Sequence, residues 1–440
     1  MAFPSSTVPR RAVLRLAPVV RRALVVPVAA AQVVLAAWAA MNPRLVFSLL
    51  LLGITGAVAL VLPVPVLLAV APSTFGYWRV GPAALDMSVA DAMVVIGTLA
   101  ALPYVPWRNR ALRLMLVALA FYTAFMAVSV VASPSTAAAF EVAHRAVMVA
   151  GSLFIGAALA TLGRARAALR VFLAACVVVA LAAIAVGVSS GLEPAYPFGM
   201  HKNAVGALLA SGLLVLVATR STLGLGGMLT IGGGVTILVG LLASQSRGAA
   251  LGLAAASAVY LFRHGGQRWV RFAPVILVVS LAMLAFAILS FNAEQSSVEG
   301  TSAAQHSSYT TRISTYSYAI EHVWKPHVLF GSGPRWFMLP GAGAGVPHNL
   351  VIQELSETGI VGLGGLTLLL GVMLARLWRM RTPLGDAGFL VLSERILDSM
   401  LGILWVAGTG TLPFLVVGLA VGDDELRRRR TEEQAELVAA

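Results

Sequence analysis

Ionisable side chains are scarce in this chain and fall in a few islands. One is the stretch GSGPRWFMLPGAGAGVPHNLVIQELSETGIVG, 331–362, where a glycine-rich turn delivers His348-Asn349 to the start of an apolar run. The near-neutral pKa of histidine suits His348 to taking a proton from a hydroxyl, and Asn349 could orient it or donate to a substrate. Arg335 precedes the pair. Glu354 and Glu357 follow it one and two helical turns on, either facing His348 and a cavity or paired with buried cations. Three further islands are His201-Lys202-Asn203, the run Ser244-Gln245-Ser246-Arg247-Gly248, and Arg312. A charge inside or at the end of a membrane helix needs a partner or a task. Lys202, Arg247 and Arg312 suit an anionic headgroup, because guanidinium groups grip phosphate oxygens in pairs. A single such cation is more simply read as snorkelling to the interface. Three beside a histidine favour an anion site.

Composition sets the environment of these islands. With 59% hydrophobic and 11% charged residues, and a mean hydropathy of +0.89, the chain is too apolar for a soluble globule. The net charge of +13 would fit nucleic acid, but the basic residues sit in short clusters between apolar runs without interleaved aromatics. No nucleic-acid partner is expected. Cys176 is the single cysteine and lies in an apolar run, which excludes an intrachain disulfide, a thiol metal site and CxxC redox chemistry. His306, His322, His327 and His348 have no metal-binding spacing, and there is no Walker or Rossmann pattern. Neither metal nor cofactor is expected.

The elements that must position the islands are membrane helices, each needing about 20 apolar residues to cross roughly 30 Å of hydrocarbon. Candidate crossings are 23–40, 45–71, 86–102, 111–131, 141–161, 168–187, 203–218, 223–242, 248–262, 272–291, 350–377 and the long region 388–421. Pro63 and Pro65 divide the second into two short passes. The basic clusters at Arg108 to Arg113, Arg164 to Arg170, Arg263 to Arg271, Arg376 to Arg381 and Arg427 to Arg430 then share one side with the arginine-rich N-terminus. By the positive-inside rule that side is cytoplasmic. The last region must enter and leave for the tail to join it. The fold expected is an all-α polytopic membrane protein, a bundle of about 12 to 14 transmembrane helices with both termini cytoplasmic. Its parts are a basic N-terminus (1–22), an N-terminal bundle (23–291), a large external loop with short helices (292–347), C-terminal membrane helices (348–421) and a charged tail (422–440).

All four polar islands then lie on the external side. Within the large loop, Ile313, Tyr316, Ile320 and Trp324 recur at helical spacing and predict a surface helix over 311–324 resting on the bundle or bilayer.

The motif HNLVIQELSETGIVGLGG, preceded by an LFGSG turn and the loop residue Arg312, resembles the C-terminal signature of the O-antigen ligase and polymerase superfamily. HKNAVGALLA and SQSRGAALGLAAA resemble its two earlier motifs in the same order, so the likeness spans roughly 195–370. The resemblance implies a membrane glycosyltransferase of the bacterial plasma membrane that draws on a polyprenyl diphosphate-linked glycan on the external face, without nucleotide sugar or required metal. On it, His348 matches the essential loop histidine, Arg247 and Arg312 the diphosphate-binding arginines, and Lys202 a basic residue near the donor. Tyr316 stands where the family loop often has tryptophan. His201, Asn203, Arg335, Asn349, Glu354 and Tyr316 complete the expected substrate-binding set. The implied partners are the lipid-linked glycan donor, a glycolipid, glycan or protein acceptor, and membrane lipids.

Breaking a sugar–diphosphate bond builds negative charge on the leaving group, which preplaced arginines stabilise more as it grows. Two other readings use the same residues: a protein O-oligosaccharyltransferase of the same superfamily, and a transporter of an anion or lipid-linked sugar. A transporter spreads polar residues along a path through both leaflets. Here they gather on one side, which favours an enzyme.

Overall fold

The computed structural model describes residues 88–191, 193–264, 307–339, 345–405 and 408–439, apart from the side chains of 89 and 307–310. These form helices, with no strand among them. They are α1 (Val89–Ala101), α2 (Arg110–Ala132), α3 (Thr136–Thr161), α4 (Ala165–Ser189), α5 (Lys202–Leu223), α6 (Gly227–Ser244), α7 (Arg247–Arg263), α8 (Ser307–Tyr318), α9 (Leu350–Arg379), α10 (Pro383–Asp398) and α11 (Leu412–Ala439). The expected crossings at 23–40, 45–71 and 272–291, the N-terminal segment 1–22 and His306 lie outside the described residues.

Helix boundaries follow local chemistry. The side chains of Asn109, Ser135 and Thr382 accept the amides of Leu112, Ala138 and Gly385, capping α2, α3 and α10. Ser88 and Asp91 form a reciprocal capping box on α1. Six described helices, α2, α3, α4, α5, α6 and α9, are long and apolar enough to cross a membrane. That is the number the described residues supply, against an expected 12 or more for the whole chain. At 13 and 17 residues, α1 and α7 are shorter than a full crossing.

The region expected to enter and leave is two helices joined by an irregular segment. Buried α10 is the hub, packing on α5, α7, α9 and α11. It starts where Arg263 donates to the carbonyls of Leu377 and Met380 (2.9 and 2.6 Å) and lies 3.1 Å from Asp386. It ends beside the start of α9, where the Leu350 amide donates to the Ser399 carbonyl at 2.8 Å. Helix α11 returns along α3, and Asn109 donates to Glu425 at 3.3 Å. A Cβ on Gly418 or Gly422 would strike the backbone of Leu153 or Ala157, so this small-residue pair sets how closely α11 and α3 approach.

The described basic clusters gather at one end of the bundle. Arg170 donates to the Leu223 carbonyl, joining the start of α4 to the end of α5, and Arg381 donates to the Arg263 carbonyl. The opposite end carries the loop 193–200, whose Ala195 amide donates to the Ala243 carbonyl at 3.1 Å.

The surface helix of the loop is present, but its buried face is shifted. Ala319 and Val323 are buried against Phe337, whereas Ile313 is 46% exposed. A π turn over Ala319–Trp324 widens the backbone and breaks the 3.6-residue spacing from which the other face was predicted.

The two ends can be separated by chemical labelling, because Cys176 is fully buried. Arg166→Cys and Glu193→Cys, both at exposed positions, should react with an impermeant maleimide from opposite sides of sealed vesicles. Labelling from one side would refute this arrangement.

Candidate active site

The site is built on a break in α9. Gly359 has φ 68° and ψ −169°, which interrupts the helix and frees backbone groups that a membrane helix cannot leave unpaired. The segment 327–333 supplies them. The amides of Ser332 and Gly333 donate to the carbonyls of Ser356 and Glu357 at 2.9 Å, and those of Ile360 and Val361 donate to Val328 and Leu329 at 3.0 and 3.2 Å. The contact is so close that a Cβ on Gly331 would overlap the backbone of Glu357 and Thr358, and one on Gly359 that of Leu329 and Phe330. Both glycines have positive φ. The LFGSG turn and the ETGIVG motif are thus two halves of one docking surface.

One turn before the break lies a buried charge cluster. Arg145 of α3 is 2% exposed and reaches Glu141 at 2.7 Å, Glu354 at 2.5 Å and Glu357 at 2.8 Å. Glu354 also accepts from the Tyr122 hydroxyl at 3.1 Å, the Trp405 indole at 2.9 Å and the Thr358 hydroxyl at 3.0 Å. Four separate chain segments therefore meet on one guanidinium. In a low-dielectric interior such a cluster holds only when every member is satisfied. Both glutamates pair with a buried cation, the second of the two options left open by the sequence, and Glu357 also lines a cavity. Glu354, expected to bind substrate, is fully buried and its oxygens are engaged by protein.

The start of α9 carries His348 and Asn349. Asn349 caps the helix, accepting the amides of Val351 and Ile352 at 3.0 and 3.1 Å and donating to the Met400 carbonyl at 2.9 Å. Its side chain is a positioning group. The Tyr316 hydroxyl donates to the His348 carbonyl at 2.9 Å, tying the loop helix to the same turn. His348 itself is half-buried, and its Nδ1 has no hydrogen-bond partner among the described residues. Burial and then the positive charge of Arg312, with a smaller effect of His201, push the His348 pKa below the ordinary histidine value.

The three cations predicted from separate islands lie within electrostatic range of one another: Lys202 of Arg247 and Arg312, and Arg247 of Arg312. Arg312 also acts on His201, Tyr316 and His348. Glycines make this approach possible. A Cβ on Gly206 would overlap the Ser246 side chain, so the first turns of α5 and α7 pack with almost no gap and bring Lys202 towards Arg247. On the other face of α7, Gly248 and Gly252 lie against Asp398 and Glu394 of α10. His201 caps α5, its Nδ1 accepting the Asn203 amide at 3.3 Å. Its own pKa is lowered by burial, then by Lys202 and Arg312.

A cavity of about 280 Å³ opens beside this cluster. His201, Asn203 and His348 line it together with Arg335, Glu357, Arg395 and Trp405. Arg335 is buried, with positive φ, and its Nε is 3.7 Å from Glu141. Lys202, Arg247, Arg312, Tyr316, Asn349 and Glu354 are not among the lining residues. The site has two compartments, a cationic cluster and a mixed-charge cavity, joined at His201 and His348.

From the sequence alone Glu141, His144 and Arg145 read as helix-end charges or internal ion pairs, and neither Arg395 nor Trp405 stands in a motif. Arg395 pairs with Asp398, yet its Nε is buried without a partner among the described residues. The available signal was a charged triplet, Glu394, Arg395 and Asp398, inside an otherwise apolar region. Among the described residues no group of three His, Cys, Asp or Glu side chains is placed to hold a metal ion.

Residues 232–367 match a protein-family profile described as O-antigen ligase. That segment belongs to the O-antigen ligase superfamily. It runs from α6 to the middle of α9 and includes Arg247, Arg312, Arg335, His348 and the docked glycines, whereas His201, Lys202 and Asn203 precede it. No curated protein matches the chain in a sequence search.

Gly331→Ala and Gly359→Ala should each lower stability by about 1–3 kcal/mol, because each places a side chain in a strained, occupied position. Thermal unfolding of the detergent-solubilised protein measures this. Gly364, around which a Cβ meets nothing, is the control; equal tolerance at all three positions would refute the docking.

Proposed function

We propose that this protein is a glycan ligase or polymerase that transfers a saccharide from a polyprenyl diphosphate carrier to an acceptor hydroxyl at the external face of the bacterial plasma membrane. The superfamily match supports membrane glycan transfer in general. The observation that carries the finer reading is the convergence of Lys202, Arg247 and Arg312, from three chain segments, beside a histidine whose Nδ1 has no hydrogen-bond partner among the described residues.

In the proposed reaction the cations hold the two phosphates of the donor, with the polyprenyl chain between helices. The acceptor oxygen attacks the anomeric carbon from the face opposite the diphosphate, with inversion. The bond from that carbon to the phosphate oxygen breaks, and its electron pair leaves on the diphosphate. As that charge develops, Arg247 and Arg312 stabilise it, and Lys202 adds a third positive charge. The acceptor proton passes to His348, whose depressed pKa keeps the ring neutral and able to accept it at neutral pH. His201, Asn203 and Arg335 face the acceptor from the cavity wall. Asn349, Tyr316 and Glu354 act through position, holding the turn that carries His348.

The test is to give the purified protein a polyprenyl diphosphate-linked glycan and candidate glycolipid, glycan and protein acceptors, and to follow glycan transfer. Wild type should transfer to one acceptor class, and His348→Ala and Arg247→Ala should each lose about 100-fold or more. Full activity in both variants would refute the site. Donor-dependent flux in vesicles without transfer to any acceptor would establish a transporter instead.

The pH dependence has a defined sign. Protonated His348 cannot accept a proton, so the rate should rise with pH with its midpoint below the ordinary histidine pKa of about 6.5. A midpoint at or above that pH would contradict the role given to His348.

A further inference from the structure

The opposite end of the bundle holds a second concentration of charge that the transfer reaction does not use. A cavity of about 450 Å³ there is lined by Arg108 and Arg110 before and at the start of α2, Arg376 and Arg379 at the end of α9, Arg381 beyond it, and Arg428 on α11. Asp424 is the acidic side chain on its wall. Two of the six arginines are satisfied by protein. Arg381 donates to the Arg263 carbonyl and lies 5.4 Å from the Trp378 ring centre, and Arg428 pairs with Glu425 and Glu432. The other four, Arg108, Arg110, Arg376 and Arg379, have no acidic partner among the described residues.

Topogenic arginines on a loose loop satisfy the positive-inside rule without forming a cavity. Here these four arginines stand on or next to helix ends that line one cavity, which also takes in two helix N-termini. Asn109, Arg110 and Ala111 open α2 and Thr382 caps α10. The first amides of a helix have no intrahelical acceptor and carry the positive end of its dipole, so the start of α2 adds to the attraction for an anion; α10 contributes less, because it opens on Pro383, which has no N–H, and carries Asp386 in its first turn. Exposed Tyr104 and Trp107 lie just before α2, at 43% and 47% of their surface. Aromatics of this kind mark headgroup depth.

We propose that this cavity binds the phosphate of an anionic phospholipid headgroup from the leaflet at the basic end of the bundle. Fixed guanidinium groups and helix amides match phosphate oxygens. The position, at the ends of membrane-crossing α2 and α9 and level with the aromatics, favours a lipid over a soluble anion. The inference does not depend on the transfer chemistry.

The test uses the full chain purified in detergent, with phosphatidylglycerol, phosphatidylcholine and inorganic phosphate as probes, and counts bound molecules by native mass spectrometry. Wild type should retain phosphatidylglycerol in preference to phosphatidylcholine. The double variants Arg376→Gln/Arg379→Gln and Arg108→Gln/Arg110→Gln, which alter different chain segments, should each weaken that binding roughly thirtyfold. Arg164→Gln/Arg166→Gln, at the same end but outside the cavity, should leave it unchanged. Equal retention of the two lipids by wild type, or unchanged phosphatidylglycerol binding in both cavity variants, would overturn the proposal. So would inorganic phosphate binding as tightly as the lipid, which would mark a soluble anion as the ligand.

Discussion

A buried arginine in a membrane protein imposes a constraint on everything near it. Arg145 is enclosed by Glu141, Glu354 and Glu357, and Glu354 is fixed by further bonds from Tyr122, Thr358 and Trp405. Leaving any one of these charges unmatched costs several kcal/mol, about 3–5 for a broken buried pair. Helices α2, α3 and α9 and the segment after α10 are thereby held in one arrangement. The N-terminal turn of α9, which carries His348, projects from this fixed point. The network is thus the foundation on which the candidate site stands.

The second constraint is steric. Gly206, Gly248, Gly252, Gly331 and Gly359 each stand where a side chain would collide with a neighbour, and each belongs to a motif that looked chemical in the sequence. Their task is approach. Removing the Cβ lets α5 close on α7, α7 close on α10, and the 327–333 turn dock into the break in α9. The charged residues of the same motifs are brought together as a consequence. Motifs of this kind record packing and chemistry together.

Much of this was legible beforehand, for physical reasons. An apolar run of about 20 residues specifies a crossing without knowledge of its neighbours, so α2, α4, α5, α6 and α9 lie close to where hydropathy puts them. Charges that interrupt such runs stand out for the same reason, which is how Lys202, Arg247, Arg312 and His348 were found. Hydropathy is blind to partners. Arg145 and Glu354 are 209 residues apart in the chain, and nothing in either neighbourhood names the other. It is equally blind to local changes of helical pitch, so the π turn at Ala319–Trp324 moved the buried face of the loop helix away from Ile313. The hub α10 was merged with α11 because both are apolar, and the irregular segment between them, which supplies Trp405 to the cavity, went unread.

The two compartments divide the proposed reaction into holding a diphosphate and moving a proton, with His348 at their junction. That division predicts different consequences for binding and for turnover. The most direct measurement is the affinity of wild type, Arg247→Gln, Arg312→Gln and His348→Ala for bare polyprenyl diphosphate, the leaving group without its glycan. The account predicts that His348→Ala binds it as wild type does, while each arginine variant binds about tenfold or more weakly. Equal affinity in all four proteins would contradict the claim that these cations form the diphosphate site.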